Sequence, residues 1–223
     1  EVLNAIHPEG FRHNEQSLRV VEILEKEGRG LNLTREVREG ILKHSKPRQG
    51  LFGEGWKTSD TFEGQVCQLA DSIAYVNHDI GDAMRAGIIT SDDLPVSTRK
   101  KLGISHSARI NTLVIDVIRN SWAVTGSAKA GLALMISLSP EILEAMNSLR
   151  EFLFSKVYDV RAMKWETERA KDAVSQLYRY FTRHIEEIPQ EFIRLGDGVD
   201  RAVVDYIAGM TDQYALRLAT EVK

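Results

Sequence analysis

Apolar side chains recur at the 3.6-residue spacing of a helix along almost the whole chain, and no stretch sustains the period-two alternation that marks a strand. The pattern predicts an all-α protein. A first helix is expected over residues 14–26, where Leu18, Val21 and Leu24 recur at helical spacing and Gly28 and Gly30 follow as stop signals. Thr34 is placed to cap a second helix over 35–44, which Pro47 ends. SDDLP and STRKKLG read as short helical turns before a long helix over 107–123. Ser139-Pro140-Glu141 then offers a hydroxyl cap, a proline at the first helical position and an acid in the first turn, so a helix through residue 158 should follow. Helices over 163–185, ended by Pro189, and over 199–218 complete the set. No internal repeat interrupts this order, which favours an irregular multi-helix globule over a solenoid.

The most informative helix is expected over 60–87. At about 100° per residue, Asp71, Tyr75, His78, Asp79 and Asp82 fall in one stripe, while Val66, Leu69, Ile73, Val76, Ile80 and Met84 gather opposite. Asp60 with Glu63 three residues later resembles a capping box, and Gly87 is placed to close the helix. The stripe has two readings: a solvated face, or one wall of a polar cleft. A phenol one turn from Asp71 and one turn from Asp79 suits a cleft that binds a hydroxylated ligand. In that reading Asp71 could ligate a divalent metal and Asp79 could accept from a sugar hydroxyl. The 48–59 loop before this helix, RQGLFGEGWKTS, fits either a lid or a plain connection.

The 223 residues, 43% hydrophobic, carry 29 basic and 32 acidic side chains, so no global positive field draws in a nucleic acid or an anionic membrane. Cys67 is the only cysteine; this excludes an intrachain disulfide and a cysteine-based zinc finger, and fits a reducing cytosol. The expected location is the cytoplasm, with Cys67 partly buried in its helix. The longest apolar run, 128–138, is too short and too interrupted to span a bilayer. Its Leu132, Leu134, Met135 and Ile136 suit a core or an interface, and core is the expectation.

Other chemistry is sparse. His13 stands where a loop becomes the first helix, with Arg12 beside it, a position that favours an anion such as phosphate. Arg109 could reach a phosphate, although a solvated face is its default. His44, near a helix C-terminus, reads as structural, and His7, His106 and His184 have no local partners in the sequence. There is no HExxH, GxSxG, P-loop or glycine fingerprint, and His78-Asp79 is the one His-Asp dipeptide.

Longer words carry a resemblance. GFRHNEQSLRVVEILE, LNLTREVREGILKHS and EGQVCQLADSIAYVNHDIGDAMRAGII resemble, in this order, the central part of the dGTP triphosphohydrolase-like branch of the HD-domain superfamily. SLREFLFSKVYDV and DRAVVDYIAGMTDQYA are similar to its C-terminal region. The resemblance implies an all-α, HD-like fold. It also implies a metal-dependent enzyme that hydrolyses deoxynucleoside triphosphates to the deoxynucleoside and triphosphate. In that family a His, a His-Asp pair and a later Asp hold the metal, and Asp71 in LADSIAY matches the last of these. Tyr75 and Asp79 match positions near the deoxyribose, His13 one near the phosphates, and Arg109 a phosphate-contacting arginine. A divalent cation (Mg, Mn or similar), a deoxynucleoside triphosphate and a homo-oligomeric state are the implied cofactor and partners.

The early His and the His-Asp pair should precede GFRHNEQS, yet only ten residues stand before Phe11, and His7 has no adjacent Asp. The expectation is a C-terminal portion of such an enzyme: one all-α domain, with 1–90 the remainder of the HD-type core and 91–223 a helical region packed on it. By itself it should be inactive, because Asp71 offers one anionic ligand where about three or four are needed. A non-catalytic nucleotide-binding or oligomerisation module, and a hydrolase of another phosphate ester, are the alternatives.

Overall fold

The computed structural model describes residues 1–44, 58–126, 134–158 and 161–222; most of the 48–59 loop, and Leu132, lie outside them. The described residues form helices and loops, with no strand, as the periodicity predicts. Helices of five or more residues are α1 Val2–Ile6, α2 His13–Arg19, α3 Arg35–Lys43, α4 Phe62–Arg85, α5 Val96–Leu102, α6 His106–Ser121, α7 Pro140–Leu153, α8 Arg161–Arg183, α9 Val199–Ala208 and α10 Asp212–Glu221. Both α2 and α7 run on into a wider π turn, at Val20–Leu24 and Phe154–Tyr158. None of the described helices is long and apolar enough to cross a membrane.

Packing divides the chain into two compact units, one of residues 1–38 with 161–223 and the other of 39–160. In the first, Leu177, Phe181, Val203, Val204 and Ile207 are the heart of the core. Asp205 on α9 is buried beside them and is held by Arg19 and Arg201, with Arg19 Nε 2.9 Å from Oδ2 and Arg201 Nη2 2.6 Å from Oδ1. Gln16 Nε2 donates to the same carboxylate at 2.9 Å. The first helix stops earlier than its glycines suggest. Lys26 and Glu27 already turn the chain with φ of 52° and 58°. Leu18, Val21 and Leu24 are each half-buried.

The second unit is built on α4. Leu69, Ile73, Val76 and Ile80 pack with Leu102, Leu113, Met146, Leu149 and Leu153 from α5, α6 and α7. Each such side chain taken from water contributes roughly 1.5–3 kcal/mol, which makes this face of α4 the fixed one. Residues 134–139 are not helical; Ile136 and Leu138 are buried, while Leu134 and Met135 are exposed rather than in the core as expected. Ser139 also departs from its expected role. Its hydroxyl donates to Asp116 Oδ1 and its backbone N–H to Oδ2, both at 2.8 Å, so a carboxylate on α6 takes the bonds and the hydroxyl does not cap α7.

Candidate functional site

The polar stripe depends on how α4 is held. Its N-cap is Thr61, whose hydroxyl accepts from the Gly64 N–H at 3.1 Å, and not Asp60. Asp60 accepts instead from Lys43 Nζ at 2.8 Å, and Lys43 also pairs with Glu39 at 2.6 Å. Around this cluster the amides of Gln65 and Gln68 replace apolar packing. Gln68 Nε2 donates to the Lys43 carbonyl at 2.6 Å, Gln65 Nε2 to the Ser59 carbonyl at 2.9 Å, and the Ile136 N–H to Gln65 Oε1 at 2.9 Å. The first two turns of α4 therefore bury a polar face, Gly64, Gln65 and Gln68, and leave Val66 and Cys67 exposed, which corrects the expectation for both. At the far end Gly87, with φ of 69°, closes the helix as expected: its N–H bonds the Met84 carbonyl and the Ile88 N–H bonds that of Ala83.

Between these anchors the stripe points away from the core. Asp71, Tyr75, His78 and Asp82 are exposed and Asp79 is half-buried. Beyond Asp71 the stripe is more than a solvated face. Tyr158, at the end of the π turn that follows α7, donates its hydroxyl proton to Asp79 Oδ2. Burial first, then the bond to Asp79 and the nearness of Tyr75, hold the Tyr158 phenol far above its ordinary value. Phe154 packs edge-on against the Tyr158 ring with centroids 5.0 Å apart, and the Arg150 guanidinium lies over Phe154 at 5.3 Å. Tyr158 is the member of this face that sequence reasoning missed; it stands in the SLREFLFSKVYDV word, where position alone gives no sign that it meets α4.

The remaining members of the stripe take other partners. His78 lies against His106, ring centroids 5.7 Å apart, and Asp82 pairs with Arg85. Arg109 is not on a solvated face. It is 2% exposed, on the side of α4 opposite the stripe, where Nε donates to Asn77 Oδ1 at 3.0 Å and Nη1 to the Ile104 carbonyl at 2.8 Å. Burial lowers its pKa. Asp71, Tyr75 and Asp79 are thus brought to one face with Tyr158, and Arg109 is not. His13 belongs to the other unit, exposed in the first turn of α2, with Arg12 engaged to Glu15 at 3.6 Å. In that unit His7 is buried with neither ring nitrogen hydrogen-bonded.

A metal site is not complete within these residues. Among the described side chains, the one group of three possible ligands close enough to share an ion is His184, Glu186 and Glu187, in the unit that does not contain Asp71. Asp71 supplies a single exposed carboxylate, and one ligand does not fit a catalytic divalent centre.

Residues 136–221 match the family model described as the phosphohydrolase-associated domain. Three deoxyguanosinetriphosphate triphosphohydrolase-like proteins align along nearly the whole chain. That of Caldanaerobacter subterraneus subsp. tengcongensis is 49% identical over 100% of this chain and 61% of its own length. That of Clostridium perfringens is 44% identical over 96% and 60%. That of Thiobacillus denitrificans is 37% identical over 97% and 68%. The chain thus spans about three fifths of the length of the first two. With identity this high along the full chain, and more than two thirds of the Thiobacillus protein covered, the chain belongs to the deoxyguanosinetriphosphate triphosphohydrolase-like family.

Proposed function

We propose that this chain is part of a cytoplasmic, metal-dependent hydrolase that cleaves deoxynucleoside triphosphates to the deoxynucleoside and triphosphate. The observation that carries the reading is the face of α4 on which Asp71, Tyr75 and Asp79 follow one another at one-turn intervals, backed by a tyrosine from another helix. In this reading Tyr75 and Asp79 meet the deoxyribose: one carboxylate and one phenol offer a ring stacking surface and hydrogen-bond acceptors to a sugar. Asp71 is then one ligand of a divalent metal whose other ligands lie outside these 223 residues. Such a metal neutralises charge on the phosphates and lowers the pKa of bound water when present. Arg109 is left out of the phosphate site, because its Nε and Nη1 are committed to buried bonds. Self-association is part of the proposal, and Leu134 and Met135, exposed side by side, are the apolar residues it would draw on first.

The test is product analysis of dGTP incubated with Mn²⁺ or Mg²⁺ and either the full-length protein or these 223 residues alone. The reading expects deoxyguanosine and triphosphate from the full-length protein, and a rate lower by about a thousandfold or more from the shorter chain, the equivalent of several kcal/mol of metal assistance. Equal turnover by the two would overturn the assignment of the missing ligands. Release of dGMP or dGDP would replace the reaction with another phosphohydrolase chemistry.

A further inference from the structure

We propose that His184, Glu186 and Glu187, at the C-terminal end of α8, hold a divalent transition-metal ion of the Zn²⁺ class, separate from the ion assigned to Asp71. One ligand atom from each residue lies within 4.8 Å of the others. The pair His184 Nδ1 and Glu186 Oε1 is 3.5 Å apart. That is long for a hydrogen bond, but two ligands of one tetrahedral ion, each about 2.0–2.1 Å from it, stand about 3.4 Å from one another. An imidazole with two carboxylates is a borderline nitrogen–oxygen set, which suits Zn²⁺, Co²⁺ or Mn²⁺ better than the hard, oxygen-seeking Ca²⁺.

The backbone that carries these ligands is fixed. After Arg183 the chain enters a tight 3-10 turn, Ile185–Glu187, in which the Glu187 N–H bonds the His184 carbonyl and the Ile188 N–H that of Ile185, both at 3.1 Å. Ile188, 1% exposed, pins the turn into the core. Tyr180 then orders two of the three side chains. Its hydroxyl donates to Glu187 Oε1 at 2.7 Å, which leaves Oε2 to serve as a ligand, and its ring lies against His184 with centroids 4.4 Å apart. Ligands oriented from behind in this way give a metal site its geometry and much of its affinity. The last carbonyls of a 23-residue helix add partial negative charge on the same side. Arg179 and Arg183 share a cavity with His184, but both are exposed, so water screens them. With water completing its shell, the ion ties the end of α8 to the turn that follows. Being open to solvent, the site empties on dialysis and refills on titration.

The experiment is a calorimetric titration of Zn²⁺ into the full-length protein after dialysis into metal-free buffer, as wild type, His184→Ala, Glu187→Gln and Tyr180→Phe. Wild type should take up one ion per chain that both ligand variants lose or bind at least about a hundredfold more weakly. Tyr180→Phe removes only the orienting hydroxyl, so it should keep the number of ions and weaken this one by about tenfold. Glu187→Gln still accepts from Tyr180 and leaves the turn's backbone bonds in place, which keeps the test decisive if the His184 variant is unstable. The count of ions is a difference between variants that share the Asp71 site, so it does not depend on the nucleotide reading. Equal uptake at equal affinity in the wild type and both ligand variants overturns the proposal.

Discussion

Asp205 and Arg109 are both charged, both almost wholly buried, and held in opposite ways. Asp205 is surrounded by compensation: two arginines and a glutamine amide reach its carboxylate. Burial alone would raise its pKa, but the bonds from Arg19, Arg201 and Gln16 outweigh it and hold the group below the ordinary 3.8. Because the folded value is the lower one, the contribution to stability is complete above the unfolded value and is lost as the pH falls through the folded one. Thermal unfolding followed by circular dichroism should therefore show a loss of stability below about pH 4, and Asp205→Asn should flatten that acid limb while lowering stability at neutral pH. An unaltered acid limb in the variant would mean that the titration lies elsewhere. Arg109, by contrast, donates to the Asn77 amide oxygen and the Ile104 carbonyl, and desolvation dominates its shift. Nothing in the word HSARINTLVIDVIRN distinguishes those two fates, since burial of a guanidinium depends on Asn77, thirty-two positions away.

Helix α4 shows how much a periodic pattern determines and where it stops. Its existence, its Gly87 terminus and its core residues Leu69, Ile73, Val76 and Ile80 were legible because each is decided within a few turns of chain. So was the gathering of Asp71, Tyr75 and Asp79. Three features were not legible. The cap shifted from Asp60 to Thr61 because Lys43, seventeen residues upstream, takes the aspartate. The first two turns buried glutamines in place of Val66 because Ser59, Lys43 and Ile136 offer backbone groups there. Tyr158 was hidden for the same reason, as its meeting with Asp79 spans 79 positions. The corrected cap has a measurable consequence. Thr61→Ala should lower the stability of the chain by about 1 kcal/mol in urea denaturation, because the Gly64 N–H loses its partner. Asp60→Ala should cost less, because its partner Lys43 keeps Glu39. The reverse order would restore Asp60 as the cap.

At the scale of the molecule, two packed units carry the residues singled out for function, His13 in one and Asp71, Tyr75, Asp79 and Tyr158 in the other. The division at residues 38 and 160 differs from the sequence-based partition near 90, which falls within the second unit. The phosphohydrolase-associated match at 136–221 runs through parts of both. Family membership rests on identity along the full chain, whereas the proposed chemistry rests on one face of one helix. That face makes sense as a reaction site only if Asp71 meets a metal completed by ligands beyond these residues. The most direct measurement is the bound-metal content and dGTP turnover of the full-length protein with and without Asp71→Asn. The account predicts that the substitution strips the divalent metal and lowers turnover by about a thousandfold. Full metal occupancy together with unchanged turnover in the variant would contradict it.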